Sequence, residues 1–442
     1  MDPTNLSTKR QWIAELARRK RGQALFVLHH LIDLDWMTAA YRLTRKDGAP
    51  GIDGVTAADY EANLEANLSD LLERIKSGRY RAPPVRRVYI PKADGTQRPL
   101  GIPTLEDKVA QRAIVMVLEA VYEQDFLPCS YGFRPGRSAH QALRDLRNAC
   151  MGQGLRWVLD VDIRKYFDSI PHAHLRDFLD RRITDGVVRR MIDKWLQAGV
   201  LEKGQLHRTT EGSPQGGVIS PLLANIFLHH VLDEWYASEV RPRLKGRSTL
   251  VRFADDCVMA FEEFHDAERV LAVLGKRLER YGLTLHPDKT RFVDFRPRRS
   301  DGGQHPGTQG TTFDFLGFTH VWGKSRKGKN VVRQVTAKGR YARALAAVSD
   351  WCRPHRHWPV PQQHRRLAAM VRGHHAYYGI TGNMRRLQWY GHEVERIWKK
   401  WLSRRGGKVA FRWSQMKALL QRHPLPSARI IHRYTVLSEA PS

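Results

Sequence analysis

The chain has 442 residues, of which 42% are apolar and 27% charged. This globular composition excludes a disordered or fibrous protein and leaves room for two or three domains. Lys and Arg number 74 against 45 Asp and Glu, a formal net charge of +29, so the expected partner is a polyanion, nucleic acid first.

The excess charge is segregated. Positions 321–442 hold 26 basic and 4 acidic residues, which points to a polyanion-binding module at the C-terminus. Cys129, Cys150, Cys257 and Cys352 lie far apart with no CxxC pair. That argues against a zinc ribbon or a disulfide scaffold and fits a reducing compartment. No apolar run approaches ~18 residues and no signal-peptide layout opens the chain, so a cytoplasmic protein, in a bacterial cytoplasm and without a membrane partner, is expected.

In chain order, the first ~45 residues read as helix, from Gln11 onward and again from Leu25 to Tyr41. Gly48 to Gly54 is a tight loop. A helix is expected over 57–76. Strand 87–91 and its return 97–102 flank a turn at Ala93 to Thr96. Helices follow at 106–122 and 138–150. Trp157 to Ile163 is a short apolar run interrupted by Asp160 and Asp162. A long buried helix is expected over 218–235, two strands around an acidic turn over 249–261, and an amphipathic helix over 267–281. Residues 296–310 read as a loop. Beyond Arg340 the pattern is helical, studded with Trp, Tyr, His and Arg. The centre suggests α+β and the tail an all-helical module.

Three carboxylates sit in surroundings that suit them badly. Asp162 lies in Val158-Leu159-Asp160-Val161-Asp162-Ile163, and Asp255 and Asp256 lie in Val251-Arg252-Phe253-Ala254-Asp255-Asp256-Cys257-Val258. A buried anion is costly unless it is paired or bound to metal. Two adjacent aspartates at a strand turn repel each other, and a divalent cation would neutralise them. A two-metal site for nucleotidyl transfer is one reading; an acidic turn facing solvent is the other.

The segment Phe253-Ala254-Asp255-Asp256 resembles the catalytic turn of reverse transcriptases. In order and over nearly its whole length, the chain resembles the reverse transcriptase/maturase proteins encoded by group II introns. The blocks are GAPGIDGVT at 48–56, RRVYIPKADGTQRPLGIPT at 86–104, the run at 107–143 that contains YGFRPGRS, VLDVDIRKYFDSIPH at 158–172, GSPQGGVISPLLANIFLHHVLDEW at 212–235, GLTLHPDKT at 282–290, FDFLGFTH at 313–320 and RGHHAYYGITGN at 372–383.

The resemblance implies an α+β right-hand polymerase, with an antiparallel palm sheet, followed by an all-helical thumb/maturase domain. The expected divisions are a helical N-terminal extension (1–45), fingers (46–155), palm (156–320), a basic linker (321–340) and the thumb/maturase domain with a short basic tail (341–442). No HNH endonuclease is expected, and so no second-strand cleavage. The implied activity is RNA-directed DNA synthesis with two Mg²⁺ ions, together with binding of intron RNA to assist splicing and mobility. The implied partners are an RNA template and primer, intron RNA, dNTPs and target DNA, with the chain a monomer or dimer. A related enzyme recruited to host defence or a CRISPR locus, and a splicing-only RNA-binding maturase, are the alternatives.

Carried over by motif, Asp162, Asp255 and Asp256 are the catalytic metal ligands. Phe167 is a steric gate against ribonucleotides, and Lys92 and Arg98 clamp the triphosphate. Gln215 contacts the template or nucleotide, and Lys289 faces the leaving pyrophosphate. Arg365, Arg366, Arg372, Tyr377, Tyr378, Arg385 and Arg386 are the expected RNA-binding residues, with His374, His375, Trp389 and Tyr390 interleaved among them.

Overall fold

The N-terminal segment is helical in two pieces. Helix α1 (Leu6–Arg19) starts at Asn5, whose side chain accepts the Thr8 N–H at 2.8 Å. The chain then leaves the helix through Gly22 at φ +74°, a conformation open to glycine. Leu25 makes a parallel bridge to Ile183, where continuous helix was expected. Helix α2 (Leu34–Leu43) begins afresh on the side chain of Asp33. The structure, a computed structural model, describes residues 5–91, 95, 97–202, 205–207, 211–212, 216–297, 305–325, 327–406 and 411–434.

The helix expected over 57–76 is likewise divided. Thr56 and Asp59 close a capping box on α3 (Ala57–Glu61), and α4 (Leu64–Lys76) starts anew after Asn63. Strands β1 (Val85–Pro91) and β2 (Gln97–Ile102) form the expected antiparallel hairpin. Helix α5 (Leu105–Tyr122) is capped by Thr104 and buried on nearly all sides. Then come α6 (Ala139–Gly152), β3 (Trp157–Val161), α7 (His172–Asp180), α8 (Gly186–Gln197), β4 (Val200–Glu202) and β5 (Gln205–His207). β4 adds parallel to β1, giving a sheet of order β2-β1-β4-β5.

Helix α9 (Ser220–Leu228) continues into π-helical turns at His229–Asp233 and Tyr236–Val240. The long helix expected here is therefore present, with a register change of the kind often found near functional sites. Strands β6 (Ser248–Phe253) and β7 (Asp256–Phe261) form the expected pair around an acidic turn. Helix α10 (Phe264–Glu279) and strand β8 (Arg291–Asp294) follow, and the sheet order is β6-β7-β3-β8.

The basic linker expected over 321–340 is largely strand. β9 (Phe313–Phe315), β10 (Phe318–Lys324) and β11 (Asn330–Thr336) form an antiparallel sheet, with Trp322 opposite Val332. Charge drew attention to this segment, but Val321, Trp322, Val331, Val332 and Val335 carry the β-propensity that decides it. The helical tail is α11 (Lys338–His355), α12 (Val360–Tyr378), α13 (Met384–Leu402) and α14 (Trp413–Arg422).

The chain forms two compact units: residues 1–142, 161–257 and 265–290 in one, and 143–160, 258–264 and 291–442 in the other. In the first, α5 is the central helix, and Trp36 Nε1 donates to the Ala113 carbonyl at 3.0 Å within its core. In the second, Val348, Cys352, Leu367, Val371, Tyr390, Val394, Trp398, Leu402 and Met416 form the buried cluster of the helical tail.

Candidate active site

Asp162 follows directly on β3. Asp255 lies in the turn between β6 and β7, and Asp256 opens β7. The Arg156 amide donates to the Phe261 carbonyl at 2.8 Å, so the start of β3 lies beside the end of β7. The two strands therefore run antiparallel. Six residues forward on one and six back on the other bring Asp162 opposite Asp255. All three carboxylates are half-buried. They present only oxygen donors, the set preferred by hard divalent cations.

The block 282–290 holds Asp162 from the other side. The His286 amide donates to the Asp162 carbonyl at 2.8 Å, and Arg164 N donates to Thr284 O at 2.9 Å. Thr290 Oγ1 donates to the Asp162 carbonyl at 3.3 Å. Lys289 Nζ stands 3.9 Å from Asp162 Oδ2. The sequence left Lys289 a choice between the reaction site and a plain surface position beside Asp288; the fold sets it against the first carboxylate.

Phe167 lies half-buried on a 3₁₀ turn, Tyr166–Asp168, edge-on to the Tyr166 ring at 5.4 Å. The Tyr166 hydroxyl donates to the Ala224 carbonyl at 2.6 Å. Burial pushes this phenol far above its ordinary pKa; Arg252 acts to lower it and the Asp255 charge adds to the rise.

Of the residues expected to bind nucleotide, Lys92 and Gln215 lie outside the described residues. Arg98 sits on β2 with its backbone opposite Ile90. Next to Gln215 in sequence, Gly216 has φ +113°, and a Cβ there would run into the Gly101 carbonyl of β2. Only glycine allows this approach. At the start of α9, the Ile219 amide donates to Gln111 Oε1 at 3.2 Å. Gln111 Nε2 in turn donates to Asp107, which also accepts from Tyr80 Oη (2.6 Å) and Trp195 Nε1 (2.5 Å). Burial pushes the Asp107 carboxyl up to about 6 despite these three donors.

Sequence reasoning passed over the support of the acidic turn. Arg252 is fully buried and grips Asp233 with Nε at 2.8 Å and Nη2 at 2.5 Å. Burial disfavours the guanidinium charge, and the Asp233 carboxylate more than reverses that, so the pKa of Arg252 lies above its ordinary value. The available signal was a lone arginine inside the apolar run Leu250-Val251-Arg252-Phe253. Buried charge in a strand demands a partner.

A second cluster of ligand-type atoms occurs at the π-turn: His229, His230 and Glu234 bring theirs within 4.8 Å of one another. His229 Nε2 and His230 Nδ1 lie 3.4 and 2.7 Å from the Glu234 carboxylate. The opposite ring atoms, His229 Nδ1 and His230 Nε2, are buried without hydrogen-bond partners. If each ring gives its one hydrogen to Glu234, only lone pairs remain unmatched. A metal would need lone pairs on the inner nitrogens instead, which would move each N–H to the outer nitrogen, buried without an acceptor. Burial works upward on Glu234, yet the two imidazoles hold its carboxyl well below the usual range. We read this cluster as a hydrogen-bonded trio.

In the second unit, Arg365, Arg366, Arg372 and Arg385 are exposed and Arg386 is half-buried. Arg385 and Arg386 lie over the exposed Trp389 ring at 4.8 and 5.4 Å. Tyr377 and Tyr378 pack against Phe318, and the Tyr377 hydroxyl donates to the Leu316 carbonyl at 2.8 Å. These two rings serve the packing of α12 on β10 rather than an open stacking surface. His374 is buried and stacks on Tyr390 at 3.6 Å; burial lowers its pKa to about 4.

Residues 90–320, a little over half of the chain, match the family described as reverse transcriptase (RNA-dependent DNA polymerase). The chain belongs to that family, whose activity is RNA-directed DNA synthesis and whose polymerases use divalent metal ions. Among its relatives is Protein YkfC of Escherichia coli, 36% identical over 333 residues, which cover 67% of this chain and 82% of that one. Group II intron-encoded protein LtrA of Lactococcus lactis is 38% identical over 203 residues, 46% of this chain and 34% of that one. An uncharacterized 91 kDa protein in the cob intron of Schizosaccharomyces pombe is 37% identical over 205 residues, 46% of this chain and 25% of that one. The chain thus spans most of the first relative and about a third or less of the other two. These similarities support a reverse transcriptase/maturase of the group II intron type and favour the intron reading over the defence or CRISPR alternative. No described helix is long and apolar enough to cross a membrane.

Proposed function

We propose that this protein copies RNA into DNA at the site formed by Asp162, Asp255 and Asp256, using Mg²⁺, and that its basic helical tail binds intron RNA. The observation that carries the reading is the register of β3 and β7, which sets Asp162 opposite Asp255 inside the segment matched to the family. When bound, the metal ions favour the ionised primer 3′-hydroxyl and neutralise the triphosphate. Asp162 and Asp255 hold them, and Asp256 adds negative charge at the mouth of β7.

The chain's own residues supply the rest. Lys289, beside Asp162, balances the carboxylate and meets the charge that develops on the leaving pyrophosphate. Phe167, anchored through Tyr166, occupies the place a ribose 2′-hydroxyl needs, so deoxynucleotides are favoured. Lys92 and Arg98 clamp the triphosphate. Gln215 contacts the nucleotide or template. In the tail, Arg365, Arg366, Arg372, Arg385 and Arg386 contact RNA phosphates, and Trp389 offers a stacking face. The RNA template and primer, dNTPs, intron RNA and target DNA are the partners of this reading.

Primer extension on an RNA template tests it. Asp255→Asn is expected to abolish complementary-DNA synthesis while RNA binding stays at the wild-type level. Retained synthesis would remove the assignment of Asp255.

A further inference from the structure

Arg252 touches no substrate in the reading above, yet every hydrogen of its guanidinium is spoken for. Nε and one Nη2 hydrogen go to Asp233, and the other Nη2 hydrogen goes to Ser130 Oγ at 2.8 Å. The two Nη1 hydrogens go to Asn225 Oδ1 and to the Ala254 carbonyl, each at 2.9 Å. The last of these bonds fixes the oxygen of the peptide joining Ala254 to Asp255.

The surroundings of that peptide are equally constrained. Ala254 has φ +58°, the left-handed region that an alanine enters at a cost. On the other side of Ala254 lies Gly132, where a Cβ would collide with the Ala254 amide nitrogen. Asn225 Nδ2 holds the Gly132 carbonyl at 2.6 Å. The backbone of Arg252 is bonded to both neighbours of Ser130: its amide donates to Cys129 O and its carbonyl accepts from Tyr131 N, each at 2.8 Å. Thus α9, the 129–132 segment and β6 all converge, through Arg252, on one peptide plane.

We propose that Arg252 is a positioning residue for the metal site, fixing the Ala254–Asp255 peptide so that the Asp255 carboxylate is aimed at the cation before the cation arrives. This rests on Asp255 being a metal ligand. Stability alone gives no reason for such a network, because buried ion pairs replaced by well-packed apolar groups are often as stable or more so. Geometry does give a reason. A ligand's outer-shell partners typically change metal affinity by about 10–100-fold when lost. A lysine at 252 keeps the charge opposite Asp233 but lacks the fork that reaches the Ala254 carbonyl as well.

Mn²⁺ binding to the full chain without nucleotide, followed by electron paramagnetic resonance, tests the proposal alongside thermal melting. Arg252→Lys is expected to weaken Mn²⁺ binding about tenfold and to raise by a similar factor the metal concentration needed for half-maximal primer extension. Affinity for primer–template should not change. The paired replacement Arg252→Met with Asp233→Leu should melt above Asp233→Leu alone, although Asn225 Oδ1, Ser130 Oγ and the Ala254 carbonyl lose their donor, and should bind Mn²⁺ weakly. This pair also covers the case in which Arg252→Lys does not fold. Wild-type Mn²⁺ affinity in the folded paired replacement, or in folded Arg252→Lys, would overturn the proposal, provided Asp255→Asn loses a Mn²⁺ ion. If Asp255→Asn binds Mn²⁺ like the wild type, the ligand assignment itself is what fails.

Discussion

The interior beneath the FADD turn and the interior of the C-terminal helices are built from different materials. Under the turn, buried Arg252, Asp233, Asn225 and Ser130 share hydrogen bonds, and Asp107, Gln111, Tyr80 and Trp195 form a second buried polar group in the same unit. Between α11, α12, α13 and α14 the core is mainly Val348, Leu367, Val371, Val394, Trp398, Leu402 and Met416, with the lysines and arginines kept outside and His374 and Gln363 as buried polar members. An apolar core requires only burial and shape, so it stabilises without directing any one group. A polar core stands or falls on each partner, and so it can hold a backbone segment in one orientation. The FADD turn has the second kind of support and the C-terminal helices the first.

This contrast is open to attack by mutation. Removing one partner of the buried pair, as in Asp233→Leu, should cost about 3–5 kcal/mol because Arg252 is left charged and unpaired. In the helical tail, Trp398→Ala should cost about 3–5 kcal/mol through the cavity and the lost bond to Gln363. The two should then part company. Pairing Asp233→Leu with an apolar residue at 252 should restore part of the stability, the rest being lost with the donor to Asn225, Ser130 and the Ala254 carbonyl, whereas no second change should restore Trp398→Ala except one that refills the volume. Urea unfolding of the four proteins measures both, and equal recovery in both regions would erase the distinction.

The second polar group predicts a pH effect. Asp107 holds its proton more tightly in the folded chain, at about 6 against an ordinary value of 3.8. Its stabilising contribution is therefore complete below about pH 4 and lost as pH rises through about 6, on the order of 3 kcal/mol. Asp107→Asn should remove that slope. Denaturant midpoints for both proteins at several pH values would show it, and identical slopes would sink the idea.

A smaller effect is expected at the nucleotide. Phe167→Ala should lower discrimination between dNTP and rNTP by roughly a hundredfold, read as the ratio of kcat/KM values. Unchanged sugar selectivity would return Phe167 to an ordinary packing role. The smallest effect belongs to the open arginine face. Arg365→Gln should reduce the salt dependence of RNA binding by about one unit of slope. It should leave folding intact, since its side chain is exposed. A loss of stability in that variant would show that the tail uses its charges for packing too.

Much of the fold was legible because its signals are local. The hairpin at 85–102, the helices at 105–122 and 139–152 and the strand pair around Asp255 follow from turn residues, capping threonines and apolar periodicity. The segment 321–340 reads as a linker because its Lys and Arg mask the valines that place it in β10 and β11. Tyr377 and Tyr378 read as RNA-facing in the sequence for a related reason. A tyrosine in a basic helix looks the same in sequence whether its ring faces RNA or Phe318, and only the position of β10 separates the cases.

By itself the amino-acid order determined the polyanion-binding character, the family and the aspartates worth watching, because composition and contiguous motifs survive without coordinates. It could not determine that Lys289 reaches Asp162 across more than a hundred residues, nor that Arg252, Asn225 and Gly132 converge on the peptide before Asp255. Those relations depend on which strands pair and which helices cross. Such long-range closures are set by packing of the whole chain, and no local stretch of sequence carries them.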